Sequence, residues 1–139
     1  MKKVLFICIH NSARSQMAEE ILRLLSPDKF EVASAGLEPG ELNPLVVEAL
    51  KDLGVDIAGK KTQSVSDILK NGKQYDYVIT VCDEASAEKC PTFPGSAQRL
   101  HWGFQDPSQL QGLDQEKLNN IRIIRDQIKA KIENWLLGQ

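Results

Sequence analysis

Residues 8 to 15 read Cys-Ile-His-Asn-Ser-Ala-Arg-Ser, a cysteine and an arginine with five residues between them. They follow the apolar run Val4–Ile9 directly and precede a helical pattern. A strand that ends, turns and starts a helix leaves the first backbone N–H groups of the helix unpaired and aimed into the turn. With the positive end of the helix dipole, those donors form a cradle for a tetrahedral oxyanion. The expected cradle is the backbone of Ile9, His10, Asn11, Ser12 and Ala13, with Arg14 as a planar bidentate clamp. The same field favours the thiolate of a cysteine in the loop. Cys8 is therefore the expected nucleophile, attacking the oxyanion centre held beside it.

A cysteine on an apolar strand is ordinarily a small buried hydrophobe, and an arginine at a helix start is ordinarily solvated. Two neighbours favour chemistry instead. Asn11 can brace the turn through its side-chain amide, and Ser15 can give its hydroxyl to the Cys8 sulfur. His10 is expected to line the mouth of the loop rather than to react.

The elements that would position these groups follow from hydrophobic periodicity. Lys3–Ile9 is a continuous apolar run of buried-strand type. Arg14 to about Ser26 reads as a helix, with Met17, Ile21, Leu24 and Leu25 at helical spacing and Pro27 just beyond. Phe30–Ala35 is a short strand leading to Gly36. Asn43-Pro44 opens a second helix with its stripe at Val46, Val47, Leu50 and Leu53, closed by Gly54. A short helix is expected around Ser66–Asn71, then strands at Asp76–Val81 and Ala97–His101. Leu118, Ile121, Ile124, Ile128, Ile132 and Leu136 mark a long C-terminal helix. Strands alternating with helices predict a three-layer α/β domain over residues 1–139, with a four-stranded parallel sheet flanked by helices. In such sheets ligands bind at the carboxyl ends of strands, where Cys8 and Cys82 both fall.

The 139 residues, 26% charged and 42% hydrophobic, suit one soluble core. A net charge of −2 supplies no global field for nucleic acid or other polyanions, so anion selectivity has to be local. No segment has the length of a signal-peptide hydrophobic region or a membrane span. Three widely spaced cysteines, Cys8, Cys82 and Cys90, do not form a secreted disulfide framework. A cytoplasmic monomer is expected, with no nucleic-acid or membrane partner and no bound cofactor. Without a Cys-x-x-Cys or a familiar histidine spacing, no metal site is assigned.

Cys82 and Cys90 flank Asp83–Lys89, whose composition favours helix. If that segment is helical, eight residues of rise separate the two cysteines by roughly 12 Å. A disulfide needs Cα atoms within about 7 Å, so joining them would require the helix to unwind. Cys90-Pro91 and Pro94-Gly95 make the far side easy to remodel. Both thiols could equally be inert. Farther on, Asp106-Pro107 is suited to a general acid on a loop after a strand, or to an ordinary turn. His101 reads as a structural polar residue at a strand end.

Together these residues resemble the thioredoxin-coupled arsenate reductases built on the low-molecular-weight protein tyrosine phosphatase fold. The resemblance covers nearly the whole chain. It rests on Cys8-x-x-Asn11-Ser12-x-Arg14-Ser15-Gln16-Met17-Ala18-Glu19, Ser34-Ala35-Gly36, Asn43-Pro44, Cys82 with Cys90-Pro91, and His101-Trp102-Gly103-Phe104 with Asp106-Pro107. It implies a cascade in which Cys8, held with the anion by Arg14 and supported by Ser15, attacks arsenate while Asp106 protonates the leaving oxygen. Cys82 then attacks the Cys8 adduct and releases arsenite, Cys90 takes over the disulfide, and thioredoxin reduces it.

Ala13 stands where many members carry a further cysteine, and seven residues separate Cys82 from Cys90, one more than in well-known members. Some members bind potassium near the loop. Asn11, Glu19 and Ser34 match part of that pattern, but residues 62–67 do not align cleanly with it. Two other readings compete: a tyrosine phosphatase using Cys8, Arg14 and Asp106 alone, and a non-catalytic oxyanion-binding or redox-sensing module. Phosphatases of this fold typically have proline after the Arg-Ser pair and tyrosines after the Asp-Pro. Gln16 and Ser108-Gln109 occupy those places here.

Overall fold

Strand β1 (Lys2–Cys8) is the centre of the molecule, and Val4 to Ile7 have no exposed surface. The computed structural model describes residues 1–83 and 97–139. Strand β1 pairs in parallel with β2 (Phe30–Gly36) on one side and β3 (Tyr77–Thr80) on the other, and β4 (Gln98–His101) extends the sheet beyond β3. The order is β2-β1-β3-β4. Side chains alternate across a strand, so Val4, Phe6 and Cys8 enter one core while Leu5 and Ile7 enter another. Both faces are covered, which is why β1 reads as an unbroken apolar run.

Four helices supply those covers: α1 (Arg14–Leu25), α2 (Pro44–Lys51), α3 (Val65–Lys70) and α4 (Asp114–Leu136). The first core gathers Met17 and Ile21 of α1, Val46 and Leu50 of α2, and Ile121, Ile124, Ile128 and Ile132 of α4. The opposite core is closed by Val65 and Ile68 of α3. This is the expected three-layer parallel α/β arrangement. Asn43 caps α2 by accepting from Leu45 N–H at 2.9 Å, with Pro44 in the first turn. Ser64 caps α3 by accepting from Asp67 N–H at 3.0 Å.

The expected elements differ from the observed ones in detail. Leu24 is 46% exposed and Ala18 and Leu22 are buried, so the α1 stripe turns away from the Leu24 edge. Strand β1 stops at Cys8 because the Ile9 carbonyl leaves the ladder to accept from Glu38. The helix expected over 83–89, together with Cys90-Pro91 and Pro94-Gly95, lies outside the described residues except for Asp83.

Arg125 fastens α4 to α2. Its Nη1 donates to the Ala49 carbonyl and to Asp52 Oδ2, each at 2.7 Å, and Arg122 Nε reaches the same Asp52 oxygen at 2.7 Å. These guanidinium hydrogen bonds, Arg122 first, hold the Asp52 carboxyl below its usual range. Removing a charged donor from a buried carbonyl costs about 2 kcal/mol. Arg125→Met is expected to lower the melting temperature by about 6 °C, measured by circular dichroism, with anion binding at the Cys8 loop intact.

Candidate active site

The loop from Cys8 to Arg14 is held from outside. Cys8 O accepts from Leu37 N–H (3.1 Å), Ile9 O from Glu38 N–H (2.8 Å) and His10 O from Gly40 N–H (2.9 Å). Asn11 O accepts from Gln16 Nε2 (3.0 Å), Ser12 O from Asn43 N–H (3.0 Å) and Ala13 O from Met17 N–H (2.9 Å). The peptide bonds are trans, and in a trans peptide the N–H points opposite the preceding C=O. Six carbonyls tied outward therefore turn the N–H groups of Ile9 through Arg14 toward the loop interior. Asn11 N–H displays this directly, donating to Cys8 Sγ at 3.1 Å. Of the expected donors it is the one already engaged by the sulfur.

Asn11 has φ of 55°, in the left-handed region that asparagine tolerates better than most residues. Its side chain is the hub of a buried network whose polarity can be deduced. Gln63 N–H, which can only donate, faces Asn11 Oδ1 at 3.0 Å. The amide nitrogen must then face the two hydroxyls, Ser15 Oγ at 2.8 Å and Ser34 Oγ at 2.9 Å. Ser15 Oγ lies 2.9 Å from Cys8 Sγ. Having accepted from Asn11, Ser15 directs its own hydrogen at the sulfur. Ser34 passes its hydrogen to Glu19 Oε1 at 2.6 Å.

The other Glu19 oxygen accepts from Arg23 Nη2 at 2.7 Å and Lys60 Nζ at 2.8 Å. The oxygens that could face a cation near the loop are thus already occupied: Asn11 Oδ1 by Gln63 and Gln16, and Glu19 by Ser34, Arg23 and Lys60. This donor set does not fit a potassium ion. Among the described residues no cluster of three His, Cys, Asp or Glu could hold a metal.

The second half of the site comes from the far edge of the sheet. Trp102 is buried and its N–H donates to Thr80 O at 2.8 Å, anchoring the segment that follows β4. From there the Phe104 carbonyl accepts from Arg14 Nη1 at 3.1 Å, and Asp106 Oδ2 stands 3.7 Å from Arg14 Nη2. Asp106 Oδ1 caps the 3-10 turn Pro107–Gln109 by accepting from Ser108 N–H at 2.9 Å. Arg14, only 4% exposed, is thereby aimed across the loop mouth. An open cleft of about 420 Å³ flanks the loop, lined by Ser12, Asn43, Pro44, Pro107 and Ser108.

Cys82 is two residues past the end of β3, on the strand beside β1, and Val81 N–H continues the pairing to Ile7 O at 2.8 Å. Cys8 and Cys82 are both buried free thiols. Burial pushes the Cys82 thiol up to about 11, Arg14 pulls it down, and the charge of Cys8 pushes it up. The two sulfurs and the guanidinium thus share one electrostatic neighbourhood. Cys90 lies outside the described residues. His10 sits exposed at the mouth with Nδ1 2.8 Å from Glu38 O, and His101 Nδ1 is 2.7 Å from Thr80 Oγ1 at the strand end.

Sequence reasoning missed three supports: Gln63, the Gln16 side chain and the Phe104 carbonyl. Gln63 is joined to the loop through a bridge between Gly36 and Ser64 that spans two connections, and no local pattern marks such a contact. Gly36 carried a weak signal as a glycine at a strand end. A Cβ there would lie 2.8 Å from Asn11 N, His10 C and Ile9 O, all backbone atoms.

A strand-ending cysteine, a clamped arginine and an acid on the segment after β4 fit the chemistry of a thiol acting on a bound oxyanion. Residues 3–138 match the low molecular weight phosphotyrosine protein phosphatases, and the chain belongs to that family. Its relatives place it on the arsenate reductase branch. It is 41% identical to the arsenate reductase of Bacillus subtilis over 96% of this chain and 94% of that protein. A solved arsenate reductase in its phosphate-binding state superposes with TM-score 0.75 at 31% identity, covering 99% of this chain and 98% of the other. The thioredoxin-dependent arsenate reductase of Corynebacterium glutamicum gives 0.68 at 32% identity, covering 100% of this chain and 64% of that one.

Two outcomes test the geometry. Gly36→Ala forces backbone against backbone, so it is expected to cost about 2 kcal/mol in urea unfolding and to weaken inorganic phosphate binding in the same protein. In the unreacted enzyme Cys82 is a thiol at neutral pH. Thiolate absorbance taken as the difference between wild type and Cys82→Ala is expected to rise near pH 11, and a midpoint at the ordinary 9.0 would contradict the placement.

Proposed function

We propose that this protein reduces arsenate to arsenite by a cascade of three thiols that thioredoxin regenerates. The observation that carries the reading is Cys82, a second buried free thiol under the influence of both Cys8 and Arg14. Ester hydrolysis has no use for it, whereas a two-electron reduction needs a thiol to take the adduct. The names of the relatives support the same substrate and the same reductant.

In this cascade the inward N–H groups and Arg14 bind arsenate, and Ser15 steadies the Cys8 sulfur as it attacks arsenic. The leaving oxygen takes a proton from Asp106 and departs as water. Cys82 thiolate then attacks Cys8 Sγ. The sulfur–arsenic bond breaks with its electron pair going to arsenic, which leaves as arsenite, and a Cys8–Cys82 disulfide forms. Cys90 attacks Cys82, frees Cys8 and creates a Cys82–Cys90 disulfide, which the thioredoxin dithiol reduces. Forming the adduct removes the charge of Cys8, one of the three influences, with burial and Asp83, that disfavour the Cys82 thiolate, while Arg14 continues to favour it.

The Cys8, Arg14 and Asp106 arrangement alone also fits phosphomonoester hydrolysis, and some residual phosphatase activity follows from the shared shape and charge of the two anions. A coupled assay separates the readings. Arsenate is expected to drive NADPH oxidation in the presence of thioredoxin and thioredoxin reductase. Cys8→Ser, Cys82→Ser and Cys90→Ser should each abolish it, with a Cys8–Cys82 disulfide trapped in Cys90→Ser. Full activity in both Cys82→Ser and Cys90→Ser would overturn the cascade. Cys82 left alkylatable after arsenate, with brisk hydrolysis of a phosphotyrosine analogue, would establish the phosphatase instead.

A further inference from the structure

Among the six outward ties of the loop, five come from backbone N–H groups and one from a side chain. The exception is Gln16, which is fully buried in the first turn of α1 and donates through Nε2 to Asn11 O at 3.0 Å and Asn11 Oδ1 at 3.1 Å. Both partners are acceptors. The orientation of Asn11 is fixed by Gln63 N–H, so the Gln16 amide can satisfy them only with its nitrogen. This leaves Gln16 Oε1 buried without a hydrogen-bond partner. An unpaired buried carbonyl costs stability, and a glutamine is tolerated there because its N–H groups perform a task no neighbouring backbone donor performs.

We infer that Gln16 is a positioning residue for the oxyanion, holding the Asn11–Ser12 peptide so that Ser12 N–H faces the cradle. The inference rests on the oxyanion reading of the loop. The argument is geometric. Asn11 is in the left-handed region, and its carbonyl accepts from the Gln16 side chain, whereas its neighbours accept from backbone N–H groups. Leu37, Glu38 and Gly40 hold the three carbonyls before it, and Asn43 and Met17 hold the two after it. Without Gln16 the Asn11–Ser12 peptide is free to rotate between two fixed neighbours, and a rotation that turns the carbonyl inward replaces a donor with an acceptor facing an anion. The N–H groups of His10 and Ala13 belong to peptides whose carbonyls, Ile9 O and Ser12 O, keep their own ties, so they do not follow. The second Gln16 bond, to Oδ1, adds to the Gln63 bond in fixing the Asn11 amide that orders Ser15.

The test uses the full-length reduced protein and sulfate, an oxyanion that undergoes no reduction here. In wild type, added sulfate is expected to shift the amide proton resonances of Ile9, His10, Ser12 and Ala13. In Gln16→Met the Ser12 response should disappear while Ile9, His10 and Ala13 still respond. Sulfate affinity should fall about tenfold, the scale of one hydrogen bond to a charged group. Gln16→Ala removes the donor without adding bulk, and it should give the same selective loss even if the methionine variant does not fold. A wild-type Ser12 response in either folded variant overturns the inference, and so does uniform loss across Ile9 to Ala13, which marks general damage to the loop. Absence of any sulfate response in wild type would instead remove the oxyanion reading on which the inference rests.

Discussion

Between Cys8 and Ala13 every carbonyl has a donor on the outer side of the loop, and the site is the consequence. Backbone N–H groups clustered around one point repel each other and any cation, so the arrangement holds only if the opposite ends of the same peptides are fixed. The fixing donors come from the segment after β2, from the cap of α2 and from the first turn of α1. The loop therefore depends both on the helix that follows it and on the stretch from Leu37 to Asn43, more than twenty residues further along the chain. Gly36 is where this dependence is tightest, because β2 must approach the loop backbone closer than any Cβ permits.

The same constraint explains how far the sequence could be read. The parallel sheet, the layers and the placement of Cys8 at a carboxyl strand end follow from periodicity, since β1 is apolar on both faces and α4 repeats isoleucine at helical steps. Ser15 and Asn11 were legible because they lie in the short segment after Cys8, and the bonds that join them to each other and to its sulfur are local. Gln63 was not, since its N–H meets Asn11 across 52 positions and any residue but proline could supply that N–H. The Phe104 carbonyl is invisible for the same reason. A side chain announces itself by type, whereas a backbone group acts through position alone, which only the fold determines. Leu24 failed for a simpler reason: spacing fixes which residues share a stripe, but the width of the covered stripe depends on what packs against it.

The network behind the nucleophile is polarised from one end. Gln63 N–H cannot be reversed, and it forces the Asn11 amide to present its N–H groups to Ser15 and Ser34. Ser15 is thereby committed to donate to the Cys8 sulfur, and Ser34 to donate to Glu19. Were Asn11 flipped, its oxygen would face both hydroxyls and Ser15 could spend its only hydrogen on Asn11 rather than on the sulfur. The Glu19 carboxylate, with Arg23 and Lys60 balancing its charge, ends the chain with an acceptor that needs no further donor. A buried network of this kind is tolerable because each of these members is satisfied.

In the proposed thiol cascade, the surroundings of Cys82 let electrostatics contribute to the order of events. In the resting state burial and the neighbouring charges of Cys8 and Asp83 disfavour its thiolate, with Arg14 opposing them. A protonated Cys82 does not compete with Cys8 for the incoming anion. In the proposed cascade, bonding of Cys8 to arsenic removes its charge, while Arg14 continues to favour and burial and Asp83 continue to disfavour the Cys82 thiolate. In that proposal Arg14 would serve both steps, and the loss of one opposing charge would come from the reaction of Cys8 itself. The second thiol need only be buried close to the first, and the parallel pairing of β1 with β3 puts it there.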